Sequence, residues 1–490
     1  MLNPGPKEVN LRSTFIRGAG WSMAMRWSIK LLGLVSTVIL ARLLSPTDYG
    51  LVAMAMLIVG LVQVLIDFGA DTNVLREQSL TKDIIDSAWT LRVIQGWIVA
   101  SLLALSAPLA GAYFGEPNVV WIIWVISGGV LAGSFTNIGI TVARKQFNFG
   151  LEYRFRILSK VIGVVVTVIA AFFLRDYRAL IIGIVASYLF GLVLSYAMHP
   201  YRPAWNTSQL RSMWHFSKWL LISGIGDYLT RNSDQFIAGR IGSAHSLGIY
   251  NVAADIGQLP TAELGPPIMR TFLPALSAIK DDTNRVRAAV LKTLGAINTL
   301  TIPVAFGLAT LAEPFTLLLL GSQWLEAIPF LAIFALVGAF RVMVAPFFGL
   351  LLLLGLSKQH AKLMWMEFLA FIIAAGALAP AIGVVGLAYA RLISAGVFCF
   401  ASLHVTKQHT GINYRDMAKV LWRPLASAAV MSGAILLTPH LTQDTFINLT
   451  LDILFGASTY TILILTSWWA CERPDGIENL VVSKIFSRAR

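Results

Sequence analysis

The feature that most constrains this chain is a series of long apolar runs that recurs from its beginning to its end. Runs of about 18 or more apolar residues are typical of helices that cross a lipid bilayer. Of the 490 residues, 57% are hydrophobic and only 13% are charged, which is more apolar surface than a soluble fold can bury. The sequence predicts an all-α integral membrane protein with fourteen transmembrane helices, at 21–43, 48–69, 84–111, 118–142, 155–174, 178–198, 213–239, 246–276, 293–319, 326–354, 361–380, 382–405, 420–440 and 447–470.

The cations that flank these spans indicate how the spans are oriented. If the first span begins on the inner side, 26 of the 38 Lys and Arg residues lie at inner ends. Only four lie at outer ends, namely Arg42, Arg175, Arg178 and Arg240. Because Lys and Arg accumulate in cytoplasmic loops, we expect both termini to be cytoplasmic. The same bias explains the net charge of +13 without a nucleic-acid partner.

An internal repeat links two parts of the chain. The stretch "ARLLSPTDYGLVAMA" (41–55) aligns with "GRIGSAHSLGIYNVA" (239–253) at a constant offset of 198 residues. Each copy joins the outer end of one span to the start of the next, and six spans separate the copies. This spacing predicts two pseudo-symmetric six-helix lobes, at 1–207 and 208–410, with a substrate path between them. The segment 411–490 then supplies two C-terminal helices and a basic cytoplasmic tail.

Sequence signatures of enzymes are missing. The chain has no GxxxxGK[ST] phosphate-binding loop, no HExxH, no CxxC pair and no GxSxG, which argues against ATP hydrolysis and against metal or serine hydrolase chemistry. Its two cysteines, Cys399 and Cys471, are too few for a disulfide framework. We therefore expect a protein that is not an enzyme and that carries no metal.

Cations inside the predicted spans are the main candidate functional residues. Arg26 and Lys30 stand four positions apart and share one face of the first span, and neither they nor Arg270 and Arg341 have an acidic residue three or four positions away. Charged groups at this depth are costly and usually functional. Arginine and lysine suit a phosphate, so we predict that these four residues, together with Arg391, bind an anionic substrate in a central cavity.

Other charged residues in the spans have more local explanations. Arg231 stands between Asp227 and Asp234 on one helix face, which indicates a structural or gating ion network and makes the three residues candidates for ion coupling. Arg92 and Lys160 lie near inner ends, where a local ion pair or an extended side chain reaching the interface suffices. Some of the embedded acids are expected to pair with arginines; these acids are Asp67, Asp227, Asp234, Asp255, Glu263, Glu313 and Glu367.

Prolines within two spans predict interrupted helices. Pro260, Pro266 and Pro267 lie in the eighth span, and Pro346 lies in the tenth. Proline lacks the backbone N–H that a helix needs and clashes with the preceding turn. We therefore expect breaks or kinks at these positions.

Two stretches resemble a known family. "ILARLLSPTDYGLVAMAMLIVGLVQVLIDFG" (39–69) and "NSDQFIAGRIGSAHSLGIYNVAADIGQLP" (232–260) resemble the polysaccharide transporter family of the MOP superfamily, in its Wzx/WzxC-like branch. The resemblance implies fourteen helices, an inward–outward rocking cycle and an undecaprenyl-diphosphate-linked oligosaccharide as substrate. It also implies a cationic cavity, to which Arg26, Lys30, Arg270 and Arg341 are carried over.

These observations lead to one functional hypothesis and leave alternatives open. We expect a flippase of the bacterial inner membrane that translocates a lipid-linked repeat unit for exopolysaccharide, O-antigen or capsule assembly. A cofactor is not expected, whereas coupling to H⁺ or Na⁺ remains open, as does work with a polymerase and a chain-length regulator. The alternatives are a lipid II flippase, a drug/cation antiporter of the same superfamily, and an integral membrane polysaccharide polymerase.

Overall fold

The chain forms helices along almost all of the part that can be described. A computed structural model describes residues 11–65, 70–77, 79–279, 282–438 and 444–471. Within these ranges only the backbone is described at 11–19, 65, 70, 76, 211–225, 227, 264–268, 270–271 and 352. The helices are α1 (Leu11–Leu43), α2 (Pro46–Leu65), α3 (Ala70–Arg76), α4 (Lys82–Phe114), α5 (Pro117–Ser134), α6 (Gly139–Lys145), α7 (Phe149–Leu174), α8 (Arg178–Met198), α9 (Leu210–Ile241), α10 (Ala244–Ser277), α11 (Thr283–Thr310), α12 (Ala312–Leu319), α13 (Ile328–Met343), α14 (Ala345–Leu353), α15 (Ser357–Ile382), α16 (Val384–Thr410), α17 (Tyr414–Leu436) and α18 (Thr445–Ala470).

Eleven candidate membrane spans, each long and apolar enough to cross a bilayer, occur within the described residues. They match eleven of the fourteen predicted spans and confirm an all-α membrane protein. The other three predicted spans fall on α9, α10 and α17, which are helices of 32, 34 and 23 residues. The total of fourteen transmembrane helices therefore stays a prediction.

Local sequence signals set where several helices begin and end. Thr81 precedes α4 and its hydroxyl accepts a hydrogen bond from the amide N–H of Ile84. Asn148 caps α7 in the same way, and such caps satisfy N–H groups that have no partner within the helix. Helix α4 ends at Phe114 and is capped by Gly115, whose φ of 72° lies in the left-handed region that glycine adopts without a steric penalty.

The chain divides into two compact units, residues 1–248 and 249–490. In the first unit α7 packs on α8 and α1, and α4 packs on α5. In the second unit α15 packs on α16, and α11 packs on α13 and α17. The lobe boundaries predicted from the repeat, at 207 and 410, stay a prediction.

Large apolar side chains lie both inside each unit and on its surface. Ile122 and Ile126 of α5 are fully buried, as is Leu294 of α11. On the outside, Phe172 and Phe173 of α7 are 62% and 78% exposed. Contiguous exposed apolar surface of this kind is rare in soluble monomers and is expected where a helix faces lipid.

The internal repeat is visible in the backbone of the first unit. Helices α1 and α9 end at Leu43 and Ile241, and α2 and α10 begin at Pro46 and Ala244, so both boundaries differ by the predicted 198 residues. The turns are also capped alike. The hydroxyl of Ser45 accepts from the N–H of Asp48, and the hydroxyl of Ser243 accepts from the N–H of Ser246, each at 3.3 Å. The predicted repeat is therefore confirmed at these two turns.

One of the two predicted sets of proline breaks is present. Helix α13 ends at Met343 and α14 begins at Ala345, immediately before Pro346, which confirms the break in the tenth span. The described backbone of α10 continues as one helix past Pro260, Pro266 and Pro267, so a break there is wrong and a kink stays a prediction. A membrane helix tolerates proline when neighbouring groups satisfy the carbonyls that lose their N–H partner.

Candidate functional site

Arg26 and Lys30 lie on a different side of α1 from the contact that Trp21 and Ser28 make with α7. Helix α1 contacts α7 through Tyr153, whose ring centroid lies 5.1 Å from that of Trp21 and whose hydroxyl lies 3.3 Å from the Ser28 hydroxyl. Arg26 and Lys30 each stand two positions from Ser28, which is about 200° around a helix. Arg26 is half-buried and Lys30 is exposed. Because α1 is continuous here, the two cations are one turn apart, as predicted.

Arg341 has a carboxylate partner, contrary to the sequence prediction. Its Nη2 donates to Oε1 of Glu367 over 3.0 Å. Arg341 lies on α13 and Glu367 on α15, so the two residues are 26 positions apart in sequence. The helical spacing of three or four positions does not reveal such a pair. The premise that Arg341 is unpaired is wrong, whereas the expectation that some embedded acids pair with arginines is confirmed at Glu367.

Arg391 is almost fully buried next to an aromatic ring. The residue is 3% exposed, and its guanidinium carbon lies 4.4 Å from the ring centroid of Phe371. A cation over an aromatic face is stabilised by the ring quadrupole, more strongly when water is excluded. Phe371 follows Glu367 by one turn of α15, so the second unit gathers two arginines and one carboxylate along α13, α15 and α16.

The remaining predicted site residues are placed less completely. The side chains of Arg270 and Asp227 lie outside the described residues. Arg231 is exposed, whereas Asp234 is 5% exposed. Their proposed gating role therefore stays a prediction.

A polar cluster ties together the predicted inner end of the first unit. Arg92 of α4 forms an ion pair with Asp71 of α3, and the Thr141 hydroxyl donates to Oδ1 of Asp71 over 2.8 Å. Burial alone would raise the pKa of the Asp71 carboxyl, but the charge of Arg92, the hydrogen bond from Thr141 and the charge of Arg144 outweigh that effect and hold the pKa below 3.8. The local ion pair expected for Arg92 is confirmed.

A metal centre is not part of the described arrangement. Among the residues whose placement the structure gives, no group of three or more His, Cys, Asp or Glu residues is arranged to hold a metal ion. The described candidates for substrate binding, Arg26, Lys30, Arg341 and Arg391, share positive charge within helices of membrane length, a chemistry that suits an anion.

Comparisons with known proteins give the family and the fold. The family model described as "Polysaccharide biosynthesis protein" matches residues 39–329. The chain is 26% identical over 424 residues to the lipopolysaccharide biosynthesis protein WzxC of Escherichia coli, covering 85% of this chain and 86% of WzxC. It is 24% identical to the succinoglycan biosynthesis transport protein ExoT of Rhizobium meliloti, covering 92% and 93%.

A solved structure supports the architecture. The lipid II flippase MurJ, in an inward closed conformation, superposes with a TM-score of 0.75 at 16% identity, over 92% of this chain and 99% of that structure. At this identity the likeness concerns the fold alone. A transporter-like helical membrane fold is therefore common to both chains.

Proposed function

Because the chain belongs to the family of polysaccharide biosynthesis proteins, whose model matches more than half of it, we propose that it is a flippase. Its passenger is an undecaprenyl-diphosphate-linked oligosaccharide repeat unit, used for exopolysaccharide, O-antigen or capsule assembly. Two relatives of similar length support this choice, since one is named for lipopolysaccharide biosynthesis and the other for succinoglycan transport.

The observation that carries the proposal is the pair of cations on α1. A polyprenyl tail remains in lipid during flipping, but the diphosphate and the sugar hydroxyls must pass the hydrocarbon core. An embedded charge costs at least about 2.5–3.5 kcal/mol, so the exposed Lys30 and the half-buried Arg26, both within the candidate span Gly20–Leu43, are the proposed contacts for a charged headgroup. The planar guanidinium of Arg26 can donate two hydrogen bonds to a phosphate, and the ammonium group of Lys30 adds a localised positive charge.

The substrate site includes further residues in the proposal. Arg270, Arg341 and Arg391 contribute positive charge from helices later in the chain. The headgroup binds Arg341 in place of the Glu367 carboxylate. The affinity for the lipid-linked oligosaccharide must differ between the inward-open and outward-open states, because a ligand that binds both states equally does not change their populations. Asp227, Arg231 and Asp234 are assigned to gating or to coupling with H⁺ or Na⁺.

The proposed setting is the bacterial inner membrane, with both termini in the cytoplasm. The excess of Lys and Arg at the inner ends of the spans supports that orientation. A polymerase and a chain-length regulator of the same pathway are the proposed protein partners. A basic, rather than acidic, set of embedded residues argues against a cation antiporter.

The test is translocation by the purified protein in liposomes. A polyprenyl-diphosphate oligosaccharide with a fluorescent headgroup is incorporated, and a membrane-impermeant quencher reports the fraction accessible from outside. We expect the accessible fraction to rise from about half toward completion only in vesicles that contain the protein. Equal kinetics in protein-free vesicles, or equal flipping of a labelled phosphatidylcholine, would refute the proposal.

The closest rival function, lipid II flipping, has a separate test. The gene is expressed in a bacterial strain whose own lipid II flippase has been placed under conditional control. We expect no rescue of growth after depletion, because the proposed passenger is an oligosaccharide repeat unit. Full rescue would transfer the proposal to lipid II.

A further inference from the structure

In the ion pair between Arg341 and Glu367, the arginine side chain is partly exposed and the glutamate side chain is buried. The side chain of Arg341 is 36% exposed, whereas that of Glu367 is 4% exposed. Only Nη2 of the guanidinium contacts the carboxylate, and the buried Nε has no hydrogen-bond partner among the described residues. Arg341 therefore keeps donors for a second anion, while Glu367 has no access to water of its own.

The surroundings of Glu367 carry an excess of positive charge. Arg341 is the charged residue of α13, and α14 contains none. On α16, Arg391 lies over Phe371, one turn from Glu367. The other titratable groups of α16 are Tyr389, Cys399, His404, Lys407 and His409. The Sγ of Cys399 lies 3.7 Å from Sδ of Met343, two positions after Arg341 on α13.

The fold does not require an acid at position 367. Helices α7 and α15 both have 26 residues, begin at Phe149 and Ser357, and end at Leu174 and Ile382, so they correspond at an offset of 208 residues. Glu367 then corresponds to Ser159, so the matching position of α7 carries a hydroxyl in place of a carboxylate.

We propose that the Glu367 carboxylate occupies the site on Arg341 to which a phosphate of the substrate binds, and that binding of the phosphorylated headgroup is linked to uptake of one proton by Glu367. This inference rests on the proposed flippase function and names the group that couples binding to H⁺. It assigns Glu367 as a positioning residue, since it acts on the passenger through Arg341.

The exchange balances in charge and in bonds. The Arg341 N–H contact to the Glu367 carboxylate breaks, and a charge-assisted contact from Arg341 to a phosphate oxygen forms, which the planar guanidinium favours because it can be bidentate. A buried carboxylate that loses its cation partner costs several kcal/mol, so Glu367 takes up one proton from the bulk aqueous phase, along the exposed side of Arg341, and becomes a neutral acid. The net charge of the Arg341–Glu367 pair rises by one and offsets part of the headgroup charge.

Proton uptake makes headgroup affinity depend on pH with a defined sign. One proton bound with each headgroup means that affinity falls about tenfold for each unit of rising pH. A purely structural ion pair would give no such slope, because it would remain intact when the headgroup binds.

The experiment measures proton uptake on binding. Purified full-length protein in a weakly buffered detergent solution with a pH indicator is titrated with undecaprenyl diphosphate. We expect about one proton taken up per ligand bound by wild type and almost none by Glu367→Gln, whose affinity also loses its pH slope. Asp452→Asn is the matched control, since Asp452 is a buried acid of the same unit that pairs with the Thr438 hydroxyl instead of an arginine, and it should behave as wild type.

The outcomes separate this inference from the function it rests on. If wild type binds and flips the diphosphate without proton uptake, or if Glu367→Gln takes up as many protons as wild type, the inference fails and the flippase function stands. If wild type neither binds nor flips the diphosphate, both fail. Should Glu367→Gln not fold, Glu367→Asp keeps a titratable acid and must retain proton uptake, and its absence in that variant overturns the inference.

Discussion

Gly50 and Gly248 occupy reciprocal positions where the first turns of α2 and α10 cross. A Cβ atom built on Gly50 would lie 1.6 Å from the carbonyl oxygen of Ala244, and one built on Gly248 would lie 1.8 Å from that of Pro46. The two glycines and their two contact residues are each related by the 198-residue offset of the repeat. Backbone meets backbone at this crossing, so only glycine fits on either side.

Substitution of either crossing glycine is expected to destabilise the protein. In Gly50→Ala and Gly248→Ala the obstructing atom is a carbonyl of the main chain, so the helices themselves must move, and overpacking of this kind costs about 1–3 kcal/mol. We expect a melting temperature several degrees below wild type in detergent. Gly128→Ala is the control, because a Cβ there meets nothing within 4 Å; equal melting of all three variants would contradict the account of the crossing.

The Asp71–Arg92 pair predicts a pH-dependent contribution to stability. The lowered pKa of Asp71 means that its ionised form stabilises the fold above the ordinary value of 3.8, and that this stabilisation is lost as the pH falls from 3.8 through the lower folded value. Thermal unfolding of Asp71→Asn should lie below wild type at pH 7, by a modest amount because the side chain is half exposed. The difference should shrink below pH 3.8, and a constant difference at all pH values would contradict the assignment.

Asn413 is expected to stabilise the start of α17. It forms a capping box in which its side chain accepts from the N–H of Asp416, and Oδ2 of Asp416 accepts from the N–H of Asn413 over 3.1 Å. That hydrogen bond, with the nearby Arg287, lowers the pKa of Asp416. Asn413→Ala should reduce the free energy of unfolding by about 1 kcal/mol, whereas Asn413→Asp, which keeps an acceptor at the cap, should not. Equal stability of the two variants would argue against the cap.

Much of the helical architecture follows from the sequence because it depends on local composition. Apolar runs predict the long helices, and the 198-residue repeat predicts that α1–α2 and α9–α10 turn alike, since the same short-range caps recur at Ser45 and Ser243. Pro346 breaks its helix as expected. The prolines of α10 do not, because whether a carbonyl finds another partner depends on neighbouring structure.

The candidate site was less predictable because its contacts are non-local. Glu367 approaches Arg341 from another helix, and the position of Phe371 under Arg391 depends on how α15 packs on α16. A listing of nearby acids in sequence cannot find such pairs. The inner-end pair of Arg92 was predictable in kind, since an interfacial cation needs a partner, although Asp71 itself was not identified from the sequence.

The central claim is that positive charge on α1 receives the phosphorylated headgroup. Its most direct test is the flipping rate of the labelled diphosphate-linked oligosaccharide by Arg26→Gln/Lys30→Gln in liposomes, beside Lys160→Gln, which removes an exposed cation from α7. Loss of charge-assisted hydrogen bonds worth about 1.5–3 kcal/mol predicts flipping slowed roughly tenfold or more in the double variant, with Lys160→Gln unchanged. Wild-type rates in a correctly folded double variant would contradict the claim.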